Sequence, residues 1–170
     1  MNAPRIVRLA QVPGCIGALA RAHVEAFGAL QPGWSVEQAA AELASHGNDG
    51  IPATWVMLDD NDPRAGAGQA MAWLGSVSLL HDDHPSIGGY SPWLASLYVR
   101  PRARGRGAGE ALVAHCVAAA RQSGIARVFL YCESSLVAYY ARLGWSVETR
   151  VELPHLPAVA VMAIDTAAGA

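Results

Sequence analysis

The chain has 170 residues, 52% of them apolar, and a formal net charge of −2. That supplies a full hydrophobic core for one domain and excludes a disordered chain. The charge gives no general basic footprint for nucleic acid, no apolar run reaches membrane-span length, and the N-terminus lacks a signal peptide's apolar region.

Residues 5–10 alternate weakly and predict a first strand, which Pro13 and Gly14 break. Residues 16–27 place Ile16, Leu19, Ala20, His23, Val24 and Phe27 at helical spacing, with Gly28 as the stop. Ser35 followed three residues later by Gln38 reads as a capping box for a second helix to about Ser45. Residues 54–58 read as a strand, 59–68 as turn chemistry, and 69–80 as a longer strand bulged near Gly75. Trp55 and Trp73 are expected to pack in one antiparallel hairpin. Residues 81–92 form a loop, and 93–99 a further strand.

A glycine-rich turn follows at once, Arg104-Gly105-Arg106-Gly107-Ala108-Gly109, and then a helix over 110–122. Leu112, Val113, Cys116, Val117 and Ala120 make its core-facing stripe, and Gly124 closes it. Strand, glycine loop and helix start together form an anion trap. Glycines let the backbone approach a ligand, and the first helical N–H groups lack helical partners. A Walker loop is excluded because the chain contains no Lys, and Glu110 stands where a dinucleotide fingerprint needs its third glycine. Arg100, Arg102, Arg104 and Arg106 give either a solvated basic loop or a local positive field over a phosphorylated ligand.

Residues 127–132 read as a strand joined to 93–99 by a right-handed crossover, hence parallel to it. A short helix over 136–142 and two closing strands, 146–153 and 158–165, complete the pattern; the tail from about 166 is expected to be disordered. Cys15, Cys116 and Cys132 have no C-x-x-C spacing and suit buried thiols in a reducing compartment. Residues 89–93 miss the nucleophile elbow, and there is no H-E-x-x-H.

Arg104-x-x-Gly107-x-Gly109 resembles the acetyl-CoA pyrophosphate loop of the GNAT (GCN5-related) N-acetyltransferases. Tyr139-Tyr140-Ala141-Arg142-Leu143-Gly144-Trp145, about 30 residues later, resembles that family's aromatic-Tyr-x-x-Leu-Gly-Phe signature. The element order β-α-α-β-β-β-α-β-α-β-β matches as well. The resemblance implies an α/β acyl-CoA N-acyltransferase fold, a mixed central sheet with splayed parallel strands and flanking helices, as a single domain over residues 1–170. It implies an acetyl-CoA-dependent, cytoplasmic enzyme acting on a small-molecule or peptide amine, with no nucleic acid, membrane or metal partner; a homodimer is left open. A non-catalytic acyl-CoA sensor of the same fold is the rival reading.

Carried over residue by residue, the backbone of Leu97, Tyr98 and Val99 would bond the pantetheine arm. The loop Arg104, Gly105, Arg106, Gly107, Ala108 and Gly109 would hold the pyrophosphate. Tyr140 occupies the general-acid position, with Tyr139 pointing elsewhere. Glu133 stands where many members carry an Asn that contacts the cofactor, and Ser135 is the candidate substitute. No motif assigns the base. Candidates are the 81–84 loop (Asp83 above all, with Asp82 and His84), Glu133 and, more weakly, His155. His23 and His115 are expected to be structural.

Overall fold

The computed structural model describes residues 3–62 and 72–169. A seven-stranded sheet runs through it: β1 Arg5–Arg8, β2 Ala53–Leu58, β3 Trp73–Leu80, β4 Trp93–Val99, β5 Arg127–Glu133, β6 Ser146–Val151 and β7 Val159–Asp165. Their order across the sheet is β1-β2-β3-β4-β5-β7-β6, and only the β4–β5 contact is parallel. Four α-helices flank it: α1 Ile16–Phe27, α2 Val36–Ser45, α3 Ala108–Gln122 and α4 Val137–Arg142. Among the described residues, no helix is long and apolar enough to cross a membrane.

Local chemistry accounts for most boundaries. Ser35 Oγ accepts from Gln38 N–H while Gln38 Oε1 accepts from Ser35 N–H, the reciprocal capping box read from the sequence. At the far end of α3, Gly124 takes φ +78°, Ile125 N–H donates to Ala120 O and Gly124 N–H to Arg121 O. That is a Schellman closure, which needs a residue that tolerates the left-handed region. Helix α3 starts two residues earlier than expected, because Gly107, at φ +79°, is already its N-cap. The first strand is shorter than expected, turning into a 3-10 turn at Leu9. The expected start of the third strand at 69–71 lies outside the described residues, as does most of the 59–68 turn.

Helices α1 and α2 cover one face of the β1–β4 half, packing on Val56, Leu58 and Trp73. Helices α3 and α4 cover the other face, over Trp55, Met57, Val77 and Leu130. Trp55 and Trp73 share the expected antiparallel hairpin and lie on opposite faces of the sheet. Leu112 of α3 is fully buried, and its truncation to Ala would cost about 2–5 kcal/mol. Thr166 is not frayed: it is buried, and its hydroxyl donates to Ile125 O at 2.7 Å.

Two bulges shape the centre. Met57 pairs with Gly75 but Leu58 with Trp73, so Leu74 is the extra residue beside the glycine where a bulge was expected. A Cβ on Gly75 would lie 2.6 Å from Tyr98 O, so the strand needs glycine there. The second bulge is on β4: Ser76 pairs with Tyr98 and Ser78 with Ala95, and Ser96 adopts φ +50°. A non-glycine residue at positive φ is uncommon and clusters at functional sites.

Candidate active site

Strands β4 and β5 pair at one position only, Trp93 with Phe129, and then diverge. Past that point the β5-facing edge of β4 has no strand beside it. A row of backbone N–H and C=O groups is thereby left for an extended ligand to complete. The gap is a cleft of about 340 Å³ bounded by Ser96 and Leu97 of β4, Cys132 and Glu133 of β5, Asp83 of the preceding loop and Tyr140 of α4. The bulge at Ser96 sits in its wall.

A second cavity of about 400 Å³ lies at the glycine loop, lined by Val99, Arg104, Gly105, Gly107, Ala108, Gly109, Glu110, Tyr139 and Arg142, with Ala103 at its edge. Gly105 (φ +72°) and Gly107 (φ +79°) turn the loop so that the α3 N-terminus faces this space. The first α-helical N–H to find a backbone partner across the cap is that of Ala111, bonded to Gly107 O, so the N–H groups before it are available. Arg104 Nε donates to Val99 O at 2.9 Å, tying the loop back to β4. Glycine geometry, free N–H groups and two guanidinium groups fit a pyrophosphate.

Not every expected residue lies at this cavity. Leu97 lines the cleft and Val99 the loop cavity, but Tyr98 points to the opposite face, against Trp73 and His23. Arg106 is not among the lining residues. Arg100 stacks over Trp73 and Arg102 reaches Asp59 at 3.5 Å, so the arginine run is only partly a phosphate field. Arg142 was not singled out from the sequence, although it lies inside the Tyr-x-x-Leu-Gly motif. Tyr139 packs on Tyr140 and points away from the cleft, as expected, into the loop cavity. A Cβ on Gly109 would lie 2.8 Å from its Oη, so the hydroxyl occupies the space the missing side chain leaves.

Tyr140 is buried at 7% exposure and lines the cleft, and its hydroxyl makes no hydrogen bond among the described residues. Burial, then Cys132 and Tyr139 nearby, push its phenol well above the ordinary value, so it holds its proton at neutral pH. Cys132 contacts Met162 Sδ at 3.8 Å, and burial pushes its thiol up to about 11. A thiol so held is a poor nucleophile near neutrality. Cys15 and Cys116 are likewise free and buried.

The base candidates separate clearly. Asp83 lines the cleft, and burial pushes its carboxyl up to about 7. Tyr131, whose phenol is raised first by its own burial and then by Asp83, stands close by. Glu133 also lines the cleft, while Ser135 is exposed in a 3-10 turn and is not among its lining residues. His84 is committed elsewhere: Nδ1 accepts from Ser86 N–H and Nε2 donates to Leu30 O, each at 3.1 Å. That pair of bonds pins the 81–84 loop to the turn after α1 and leaves no ring nitrogen for an acceptor. Asp82 and His81 are exposed and line a different cavity, and His155 lies on the outer vestibule. His115 packs edge-on against Trp55, and His23 is buried with Nε2 on Ser76 Oγ at 3.0 Å.

The sequence model of the Acetyltransferase (GNAT) family matches residues 19–145. No curated protein matches the sequence. Among solved structures, a chimera of the Vibrio cholerae spermidine N-acetyltransferase SpeG with hSSAT superposes with TM-score 0.72 at 16% identity, covering 98% of this chain and 97% of that one. Arabidopsis thaliana NAA60, in complex with a bisubstrate analogue, gives 0.71 at 15% identity, covering 96% and 98%. A GNAT-family acetyltransferase from Streptococcus pneumoniae gives 0.66 at 15%, covering 95% and 98%. At these identities the likeness speaks for the fold.

Proposed function

The chain belongs to the GNAT acetyltransferase family and has that family's fold, and on that premise we propose that it transfers the acetyl group of acetyl-CoA to a primary amine by direct attack on the thioester. The observation that carries this reading is the pairing of a splayed β4–β5 cleft, holding the protonated Tyr140, with a glycine cradle at the α3 N-terminus. The free edge of β4 would take the pantetheine arm as an added strand. Arg104, Arg142 and the α3 amides would hold the pyrophosphate.

The chemistry then asks four things of this chain. The amine must be neutral, and Asp83, with a carboxyl that ionises near neutrality, accepts its proton directly or through water. A β4 amide beside the bulge meets the charge that develops on the thioester oxygen. The C–N bond forms, the C–S bond breaks, and the departing thiolate takes a proton from Tyr140. Glu133, at the mouth of the cleft, offers a carboxylate to an incoming cation. Arg142 and Tyr139 join the pyrophosphate set in this reading, while Arg106 and Ser135 contribute at most through the backbone. A reducing, cytoplasmic setting fits three free buried thiols.

The test is thiol release from acetyl-CoA on a panel of primary amines, with mass detection of the acetylated amine. Release is expected only when both substrates are present. Tight acetyl-CoA binding with no transfer to any amine would favour the sensor.

A further inference from the structure

Three cavities meet around Trp34. The cleft described above is one. A vestibule of about 580 Å³ opens between the α1–α2 connection and residues 153–156, with Glu42 of α2 in its wall. A chamber of about 300 Å³ lies behind α2, bounded by His23, Glu42, His46, Ser78, Asp82 and Ser96. Trp34 lines all three, Glu42 joins vestibule to chamber, and Ser96 joins chamber to cleft. The chamber thus opens on the bulge where the amine must react.

Their charge is one-sided. Glu42, Asp82, Asp83 and Glu133 line them, and no arginine lines any of the three. With no Lys in the chain, these walls carry no permanent positive charge. The glycine-loop cavity, in contrast, presents Arg104 and Arg142. Coulombic attraction to a cation in the chamber would therefore face no competing fixed cation in the wall.

A second observation comes from His23. It is 2% exposed and lines the chamber. Burial, and then His46, hold its pKa down to about 4, so the ring is neutral. The tautomer that donates from Nε2 to Ser76 Oγ leaves Nδ1 a lone pair with no partner among the described residues. In that tautomer Nδ1 is a buried acceptor, suited to an N⁺–H donor. Of the other polar groups in the wall, His46 Nδ1 is engaged with Thr54 Oγ1 and Thr54 Oγ1 with Ser78 Oγ, each at 2.7 Å, while the buried Trp34 Nε1–H has no hydrogen-bond partner among the described residues.

We propose that the acceptor is a small aliphatic di- or polyamine, whose reacting amine lies in the cleft at the Ser96 bulge and whose second ammonium seats in the chamber between Glu42, Asp82 and His23. This rests on the acetyltransferase reading above. One amine loses its proton and forms the C–N bond. The other stays charged throughout and supplies binding energy. A monoamine of equal length leaves the chamber's carboxylates without a partner.

The test measures acetyl transfer to acceptors of matched length: an alkyl diamine, the monoamine, the amino alcohol, and a basic peptide with a free N-terminus. The diamine is expected to exceed the monoamine and the amino alcohol in kcat/KM by roughly 10- to 100-fold, mostly through KM. The Glu42→Gln/Asp82→Asn double variant is expected to shrink that preference to about threefold or less. Both side chains are exposed, so the fold should survive, and a thermal melt checks it. Equal turnover of diamine and monoamine, or faster turnover of the peptide, overturns the proposal while leaving the acetyltransferase in place. Calorimetry of the diamine on CoA-saturated protein separates the two readings. Diamine binding without transfer to any acceptor keeps the cation site and overturns the catalytic reading. Neither binding nor transfer overturns both.

Discussion

The two ends of the cleft are built by different means. On the proposed reading, recognition at the glycine loop is written in backbone: two left-handed glycines, a helix N-terminus and an arginine folded back onto β4. At the acceptor end it is written in side chains from four separate elements, α1, α2, the 81–84 loop and β5, brought together by packing. A backbone device needs particular residues in consecutive positions, so it tolerates few sequences. A side-chain device needs only suitable groups arriving from anywhere.

The largest expected effect lies at the acceptor end. Asp83→Asn removes the only expected base with a carboxyl raised into the neutral range, and should lower kcat/KM by about 10²-fold. The wild-type pH profile should rise with a midpoint near 7, because Asp83 must be ionised to accept a proton, and that limb should vanish in the variant. The same residue carries a stability signature of known sign. A carboxyl raised in the folded state favours folding below its unfolded pKa, and that advantage is lost as pH rises through about 7. Asp83→Asn should therefore be more stable than wild type at pH 8, in a thermal melt. An unchanged profile and an unchanged melt would return Asp83 to a bystander of Tyr131.

At the cofactor end, Gly107→Val should weaken acetyl-CoA binding by about tenfold or more, in calorimetry. The reason is conformational and not steric. An added Cβ would meet nothing within 4 Å, but φ +79° is strained for any L side chain, by roughly 1–2 kcal/mol and more for a β-branched one. The loop must then move out of the geometry that faces its amides to the cavity.

A smaller effect probes the contact between the two motifs. Gly109→Ala places a methyl 2.8 Å from Tyr139 Oη, a crowding that the far end of a side chain can relieve. It should weaken acetyl-CoA binding a few-fold, about 1 kcal/mol. Tyr139→Phe deletes the crowded atom and leaves the ring 3.9 Å away, so the double variant should recover most of the loss. Additive losses in that cycle would show that the two residues do not share a contact.

What the sequence made legible follows the same division. Capping box, helix closure and glycine loop were readable because each depends on residues within a few positions of one another. That Tyr140 stands at the cleft was readable because its motif is local. The bulge at Ser96 was not. Serine has no preference for φ +50°, and only the mismatch in register between β3 and β4 forces it there. The hairpin of the tryptophan pair was readable, but a shared hairpin does not decide which face each ring takes. Within residues 81–84 the sequence offered carboxylates and imidazoles, with Asp83 put forward first but no local signal to place any of them. Tertiary packing separates them, half-burying Asp83 at the cleft, pinning His84 through both ring nitrogens and leaving Asp82 in another cavity. Arg142 was hidden in plain view, in a motif read for its aromatic residues alone.

The most direct test of the central claim compares wild type with Tyr140→Phe on an identified acceptor, measuring kcat by thiol release and acetyl-CoA affinity by calorimetry. The substitution removes one hydroxyl and keeps the ring that packs on Tyr139 and Trp145. Positioned proton transfer is typically worth about 10²–10⁴-fold, and thiolate is a good leaving group, so a fall in kcat of roughly 10- to 1,000-fold is expected, with affinity little changed. Turnover at the wild-type rate would contradict the account and leave Tyr140 a wall of the cleft with no proton to give.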